Sequence, residues 1–301
     1  MNIIGRRKIW YIVSTVLIAP GIIALILWGL KFGIDFKGGA LIQVQYSQSK
    51  PVDEVKNSLK DLGLNNLIVT TTSDNGFIIR TETLTQEQYN KISDQLKKVG
   101  EYKETSYESV GPTVSSDIEK KAIISVILAS LAIILFVAYT FRRVPKPASS
   151  WRFGICAVLA LIHDLAFVIG LFAILGHFLG YEIDSLFITA LLTIMGFSVH
   201  DTIVVFDRIR ENLRKHPSEN FEKNVNNSII QTLNRSLNTS LTVLIVLAAL
   251  FFLGGVTLHH FVLALLAGIA IGTYSSIFNA SAMLVSWQGW SMRRLAKEKV
   301  T

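Results

Sequence analysis

Six apolar stretches, each long enough to cross a bilayer, constrain this 301-residue chain more than any other feature. A transmembrane helix needs about 20 mostly apolar residues, and half of the chain is hydrophobic. The predicted spans are residues 9–30, 122–141, 153–175, 186–206, a fifth from about 229 or 237 to 253, and 261–285. Helices satisfy their own backbone polar groups inside lipid. The chain is therefore predicted to be a polytopic α-helical membrane protein with six transmembrane helices.

The distribution of basic residues predicts the topology. The net charge is +7, and Lys and Arg gather before the first span and after the second, fourth and sixth, whereas residues 176–185 and 254–260 contain neither. Basic loops stay on the cytoplasmic side. We therefore expect a multi-pass protein of the cytoplasmic (inner) membrane with both termini cytoplasmic. Because the basic excess is topological, no nucleic-acid partner is expected.

The long connection between the first two spans is predicted to form an external α+β domain. Its pattern indicates strands at 41–46, 67–72, 77–82 and 102–110, and helices at 52–62 and 86–99. This βαββαβ order is the ferredoxin-like plan. The predicted organisation is a cytoplasmic N-terminus and first helix at 1–31, the external domain with flanking hinges at 32–119, and helices two to six with cytoplasmic loops and C-terminus at 120–301.

Two local signals support this pattern. Asp74-Asn75-Gly76 is typical of a hairpin turn, and it separates the second and third predicted strands. Thr85 precedes the second predicted helix with Gln88 three residues later, which predicts a capping box. Because the segment contains no cluster of catalytic residue types, a docking domain is favoured over an enzyme.

Acidic residues lie inside two apolar runs. Asp201 lies in the fourth, and Asp164, preceded by His163, lies at the middle of the third. An ionised side chain at the centre of a membrane helix costs about 2.5–3.5 kcal/mol on insertion scales. Two such acids in neighbouring helices indicate ion or proton movement.

The fifth and sixth spans carry two further stripes. Arg235, Asn238, Thr239 and Thr242 share one face of the fifth, which we expect to face protein or water. Arg235 and Asp201 are expected at similar depth on adjacent helices, as ion-pair partners. The sixth span carries small residues at four-residue spacing, a pattern typical of a helix-packing surface; these are Gly268, Gly272, Ser276 and Ala280.

The two His-Asp dipeptides are poor metal sites. Adjacent helical residues point about 100° apart, and helical metal pairs favour wider spacing, so neither a metal nor another cofactor is expected. His163 is predicted to be a neutral imidazole hydrogen-bonded to a neighbouring helix. The role of His200, next to Asp201, stays open.

Several motifs together resemble the SecF family of the Sec export machinery, and the likeness covers nearly the whole chain. They are Gly33-Ile34-Asp35-Phe36-Lys37-Gly38-Gly39, Val110-Gly111-Pro112, Leu161-Ile162-His163-Asp164, the run SVHDTIVVFDRIREN at 198–212, and Asn234-Arg235-Ser236-Leu237-Asn238-Thr239-Ser240. The motif around Asp201 is the most specific of these. Two positions depart from the family pattern: His200 stands where Asn is common, and Thr113 follows Pro112 where glycine is usual.

The resemblance implies a function. SecF-like proteins belong to the resistance-nodulation-division superfamily, pair with SecD, and use the proton-motive force to promote preprotein export through the SecYEG channel, with YajC and YidC as further partners. It also implies a proton-driven transport subunit and not an enzyme.

The resemblance also implies residue roles. It places Asp201, Arg235 and Asp164 in the proton pathway. His200, His163, Asn238 and Thr239 are candidate modulators. The hinge candidates are Gly33, Gly38, Gly39, Gly111 and Pro112.

Two other classes of function stay open. A stand-alone proton-coupled exporter of small molecules would need a second six-helix half, which a homodimer could supply. An intramembrane enzyme would use the two His-Asp dipeptides, and metal analysis would identify it.

Overall fold

Six helices in the described residues are long and apolar enough to cross a membrane. The structure is a computed structural model that describes residues 1–64, 66–72, 75–145 and 148–298. The candidate spans are Ile4–Trp28, Pro112–Thr140, Ser150–Leu179, Ser185–Lys215, Phe221–Leu253 and His259–Arg293. Together with a small sheet between the first two spans, this confirms the predicted fold class.

The regular elements follow one another with short connections. They are α1 Arg7–Trp28, α2 Ile34–Lys37, β1 Gly39–Tyr46, α3 Val52–Lys60, β2 Ile68–Thr71, β3 Gly76–Thr81, α4 Gln86–Val99, β4 Tyr102–Val110, α5 Pro112–Thr140, α6 Ser150–Leu179, α7 Ser185–Lys215, α8 Phe221–Leu253, α9 His259–Tyr274, a π-helical segment Ser275–Ala280, and α10 Ser281–Glu298. The chain divides into two compact units, residues 1–31 with 125–301, and residues 32–124.

The unit at 32–124 is built on a four-stranded antiparallel sheet of order β2-β3-β1-β4. This is the order that a βαββαβ chain produces when β1 and β3 form the sheet centre. Side chains alternate along β1, so that Ile42 and Val44 are buried against Leu59 of α3 and Leu96 of α4. Each predicted strand and helix is present, with bounds within two residues.

Of the two local signals predicted in this unit, the structure describes the capping box in full and the hairpin turn in part. Thr85 Oγ1 accepts from the Gln88 backbone N–H at 3.3 Å, and Gln88 Oε1 accepts from the Thr85 N–H at 2.9 Å, which confirms the capping box. Asn75 has a positive φ of 58° before β3, as a tight hairpin requires. Asp74, the first residue of the predicted turn, lies outside the described residues.

The two adjacent glycines before β1 form a tight corner. Gly38 and Gly39 have φ values of 73° and 137°, in the region that favours glycine. A Cβ on Gly39 would lie 2.7 Å from the Thr81 carbonyl oxygen, and one on Gly38 would lie 3.3 Å from that of Val110. Both glycines therefore let the chain enter the sheet beside β3 and β4.

In the other unit, close backbone approaches and aromatic packing hold the membrane helices together. A Cβ built on Gly21 of α1 would lie 2.8 Å from the Cα of Gly170 in α6, so the two helices meet backbone to backbone. Phe141, Phe153 and Phe206, which follow or lie in α5, α6 and α7, have ring centroids 5.1–5.8 Å apart. Such pairs stabilise a core beyond the area that they bury.

Most helices extend beyond the apolar runs. Helix α5 begins at Pro112, ten residues before the predicted start, and its first turns carry charged residues such as Asp117 and Lys121, which pair at 2.7 Å. Helix α7 continues to Lys215. Its last turns carry charged residues, of which Arg208 and Glu211 pair at 2.6 Å. Hydropathy locates the membrane-crossing part, whereas capping and charge pairs set the helix ends.

The last span is interrupted by the π-helical segment Ser275–Ala280 between α9 and α10. Such segments take in an extra residue and often occur at functional sites. Apolar periodicity carries no signal for this segment and predicts one continuous helix over 261–285, which the structure corrects. Ser275 and Ser276 of this segment are fully buried.

Candidate functional site

Asp164 is the most deeply buried carboxyl of the helical unit, with no exposed side-chain area. Its Oδ2 accepts hydrogen bonds from Ser198 Oγ of α7 at 2.5 Å and from Ser275 Oγ of the π segment at 2.8 Å. Gly272 of α9 leaves the necessary space, because a Cβ there would lie 3.5 Å from the same oxygen. Three elements therefore converge on one carboxylate oxygen.

His163 is the third partner of Asp164 and contacts its other oxygen. The Nδ1 atom of His163 lies 2.9 Å from Asp164 Oδ1, while its Nε2 is buried without a hydrogen-bond partner among the described residues. The prediction that His163 bonds to a neighbouring helix is therefore wrong. Its partner is the next residue of its own helix, because rotation about the side-chain bonds brings the adjacent groups together.

Asp201 is the other buried carboxyl, 6% exposed and on α7. Its Oδ1 accepts from Ser236 Oγ of α8 at 2.6 Å. Its Oδ2 is buried and has no partner in the part of the chain that the structure describes. His200, the preceding residue, is exposed, so this dipeptide does not converge on a common ion.

The expected ion pair between Asp201 and Arg235 is not the contact found. Arg235 is exposed on the outside of the bundle, and Ser236, the next residue, bonds to Asp201 instead. Adjacent residues on a helix differ by about 100° in direction, so α8 turns one or the other toward α7. Asn238 and Thr239 are also exposed, so this stripe does not pack against the rest of the chain, and the expectation that it faces protein or water stays a prediction.

The buried polar stripe of α8 is a different one, which the sequence reasoning missed. It repeats every four residues and consists of Asn224, Ser228, Thr232, Ser236 and Ser240. Ser240 accepts from Thr273 Oγ1 of α9 at 2.6 Å, and the amide of Asn224 has no partner among the described groups. The four-residue spacing was a usable signal, but the stronger polarity of the Arg235 face obscured it.

The small-residue stripe of the last span packs against α7. A Cβ on Gly272 would lie 3.4 Å from Ser198 Cβ, and Ser276 Oγ lies 2.8 Å from Thr202 Oγ1. A Cβ on Gly268 would overlap Ile194. The prediction of a packing surface is confirmed, and this surface is covered by α7 of the same chain.

Together these contacts form a polar interior inside apolar helices. Two carboxyls on adjacent helices are reached by serine hydroxyls from α7, α8 and the π segment. A hydroxyl both donates and accepts, so such groups can hold a proton or a water next to a carboxylate. The arrangement suits movement of protons more than binding of a large ligand.

Comparisons with known proteins agree on the family. The family model described as "Protein export membrane protein SecD/SecF, C-terminal" matches residues 91–290. The "SecD/SecF GG Motif" matches residues 29–50, which contain the glycine corner.

Full-length relatives are similar over almost the whole chain. The protein translocase subunit SecF of Thermobaculum terrenum is 45% identical, over 98% of this chain and 96% of that protein. That of Anaerolinea thermophila is 40% identical, over 99% of this chain and 97% of that protein. Of the function classes that the sequence left open, these relatives support the translocase subunit.

A solved structure has the same fold. The crystal structure of SecDF, a translocon-associated membrane protein from Thermus thermophilus, superposes with a TM-score of 0.85 at 32% identity, over 96% of this chain and 39% of that one. A crystal structure of SecDF in a super-membrane-facing form gives 0.69 at 29% identity, over 99% of this chain and 40% of that one. The chain thus corresponds to about two fifths of a SecDF polypeptide. By its motifs, its fold and these relatives, the chain belongs to the SecF family, the SecD-associated, multi-pass membrane subunit of the protein translocase.

Proposed function

We propose that this SecF-family chain works with SecD to couple the proton-motive force to preprotein export through the SecYEG channel. It would do so in the cytoplasmic membrane with both termini cytoplasmic, and with YajC and YidC as further partners. The observation that carries the proposal is Asp201, a buried carboxyl with one hydrogen-bonded and one unpartnered oxygen among the described residues. A charge there lacks solvation, so its energy depends strongly on what surrounds it.

The switch that we propose exchanges two consecutive residues of α8. In the structure Ser236 contacts Asp201 while Arg235 is exposed. A rotation of α8 relative to α7 by about 100° would replace the hydroxyl with the guanidinium. Arg235, a cation, would favour the ionised carboxylate much more strongly than the neutral donor Ser236 does, so that proton uptake and release would shift the balance between two conformations.

Asp164 supports the pathway in this proposal and does not exchange partners. Both of its oxygens are hydrogen-bonded, to Ser198, Ser275 and His163, so it is held in one geometry. His163 and His200 would tune the response to pH beside the two carboxyls. Asn238 and Thr239, next to Arg235 on the exposed face, would guide its guanidinium.

The hinge proposal rests mainly on Gly111. A Cβ on Gly111 would meet no heavy atom within 4 Å, and Pro112 begins α5 directly after it. Gly33 precedes α2 in an extended conformation, so it is the matching joint before the sheet. Gly38 and Gly39 form a tightly packed corner, which we expect to move together with β1 when the joints at Gly33 and Gly111 bend. Motion at these joints would carry the external domain while it assists the preprotein.

The decisive experiment measures preprotein export into inverted membrane vesicles with and without a proton gradient. Asp201→Asn keeps the shape of the side chain but removes its change of charge. We expect a normally assembled complex with SecD and loss of most of the gradient-dependent gain. The matched control is Asp207→Asn. Asp207 lies six residues further along α7 and its carboxyl is exposed, so this variant should retain the gradient-dependent gain.

Arg235 provides the second arm of this experiment. Arg235→Met should abolish the gradient-dependent gain, whereas Arg235→Lys should restore part of it, because lysine keeps the charge but lacks the planar fork. If Asp201→Asn vesicles with normal complex levels keep the full gain, the carboxyl is not the proton carrier. In that case the export role through SecD would stand without the coupling proposed here.

A further inference from the structure

A pocket lined by four arginines lies where α5 ends beside α7. Its volume is about 320 Å³, and its walls are Tyr139, Thr140, Arg142, Arg143, Arg210 and Arg214. We name this set the arginine pocket. The four cationic side chains come from two separate parts of the chain, the turn after α5 and the last turns of α7.

Two of the arginines donate hydrogen bonds to backbone carbonyls at the end of α5 and in the turn after it. Arg210 Nη1 donates to the Thr140 carbonyl oxygen at 2.9 Å, and Arg214 Nη2 donates to that of Arg143 at 3.1 Å. The Thr140 carbonyl ends α5 and the Arg143 carbonyl lies in the turn that follows, and basic side chains commonly satisfy carbonyls at a helix C-terminus. These contacts account for the positions of Arg210 and Arg214. They do not account for the presence of the Arg142 and Arg143 guanidinium groups beside them.

The charge in the arginine pocket is unbalanced. Arg210 pairs with the Asp207 carboxylate, whereas within the described residues no carboxylate pairs with Arg142, Arg143 or Arg214. The Arg142 guanidinium lies over the Tyr139 ring at 3.8 Å. Like charges held together repel one another, and an anion between them would remove that cost. Guanidinium groups match phosphate oxygens in a two-pronged geometry.

An apolar groove begins at the same level of α5. It has a volume of about 520 Å³, lies between α5 and α6, and is lined by side chains that include Ile134, Ala138, Ile155 and Trp151. Ala138 of the groove and Tyr139 of the arginine pocket are consecutive residues. Gly154 widens the groove, since a Cβ there would find only Val137, at 4.0 Å. We name it the α5–α6 groove.

We propose that the arginine pocket and the α5–α6 groove together bind one anionic phospholipid. Its phosphate would accept hydrogen bonds from the guanidinium groups of the pocket, and one acyl chain would lie in the groove. A soluble phosphate compound would use the pocket but leave the groove empty. Trp151, half exposed at the mouth of the groove, matches the aromatic residues that mark the membrane interface. Basic pockets between membrane helices bind acidic head groups in this way.

The test uses quenching of Trp151 fluorescence by lipids brominated on their acyl chains. The full chain, assembled with SecD, is reconstituted in phosphatidylcholine vesicles with small amounts of brominated phosphatidylglycerol or brominated phosphatidylcholine. The Trp151 signal is the difference between the wild type and Trp151→Phe. We expect phosphatidylglycerol to quench at a concentration about tenfold or more below that of phosphatidylcholine, because basic residues near the membrane surface attract anionic lipids.

The variant that removes the site is Arg142→Gln with Arg143→Gln. Neither guanidinium holds a carbonyl or a carboxylate in the described structure, so the fold should be kept, and the preference for phosphatidylglycerol should vanish. The control is Arg6→Gln with Lys8→Gln, which removes two exposed charges near the start of α1 and should leave the preference intact.

Three results would overturn the proposal. Equal quenching by the two lipids in the wild type would mean that the groove takes any lipid. An unchanged preference in Arg142→Gln/Arg143→Gln would mean that the arginines do not select it. Complete displacement of phosphatidylglycerol by millimolar pyrophosphate would identify the pocket as a site for soluble phosphate compounds.

Discussion

At the scale of single residues, the two membrane carboxyls differ in how completely they are partnered. Both oxygens of Asp164 are hydrogen-bonded, by His163, Ser198 and Ser275. Asp201 has one bonded oxygen, and its other oxygen is unpartnered within the described structure. A fully satisfied buried group holds its surroundings in place, whereas a half-satisfied one is ready to change partners. We therefore expect substitutions of Asp164 to act on stability first.

Replacing Asp164 should separate its structural contribution from its charge. In Asp164→Asn the amide oxygen can still accept from Ser198 and Ser275, so thermal unfolding in detergent should stay near the wild type. Asp164→Leu leaves two buried hydroxyls without their acceptor and should lower the free energy of unfolding by about 1–3 kcal/mol. Equal unfolding temperatures for the two variants would show that the hydroxyls find other acceptors.

Sequence reasoning identified the carboxyls but not their partners. Asp164 and Asp201 are conspicuous because an acid in an apolar run is costly. Ser236 and Ser275 give no comparable signal, since serine is tolerated in membrane helices by bonding to its own backbone. Only the packing of α8 and the π segment against α6 and α7 shows that these two hydroxyls reach carboxylates.

At the scale of helices, α8 is polar on two faces, and the sequence could not tell which one lies inside. The Arg235 face has the larger charge, but the face with Ser228, Ser236 and Ser240 is buried. Hydropathy records how polar a stripe is, not what covers it. In a chain that assembles with SecD, a second polar face can be satisfied by the partner, so an exposed arginine stripe on a membrane helix is compatible with the fold.

Contact between α1 and α6 should depend on the absence of side chains at one crossing. A Cβ on Gly170 would lie 2.6 Å from the Gly21 Cα, and the backbone there cannot move aside. Gly21→Ala or Gly170→Ala should therefore separate the helices and lower the free energy of unfolding by about 1–3 kcal/mol. Thermal unfolding in detergent, followed by tryptophan fluorescence, measures the effect.

Gly196→Ala in α7 is the control for this crossing. A Cβ at Gly196 would meet no heavy atom within 4 Å, and alanine is the better helix former, so its unfolding temperature should equal or exceed that of the wild type. A Gly170→Ala protein as stable as Gly196→Ala would show that α1 and α6 do not make their close approach in the membrane.

At the scale of the whole molecule, signals that repeat along the sequence were sufficient to predict the architecture. Apolar runs of membrane length predicted six spans, and the order of strand and helix patterns in residues 41–110 predicted a four-stranded ferredoxin-like sheet. Both are signals that repeat along the chain. The π segment and the glycine corner at Gly38-Gly39 are single events, and one inserted residue or one positive φ changes no periodic pattern.

The basic loops make a prediction about orientation, because loops rich in Lys and Arg are retained in the cytoplasm. Ser49 lies between β1 and α3, and Ser218 between α7 and α8, and both are exposed. Single cysteines, Ser49→Cys and Ser218→Cys, are placed in a Cys156→Ser background and treated with a membrane-impermeant thiol reagent. In cells with a permeable outer layer, Ser49→Cys should react, whereas Ser218→Cys should react only after lysis.

The native Cys156 has no exposed area, so its replacement removes little background. The opposite pattern would place the sheet domain in the cytoplasm, where it could not assist a preprotein emerging on the outer face.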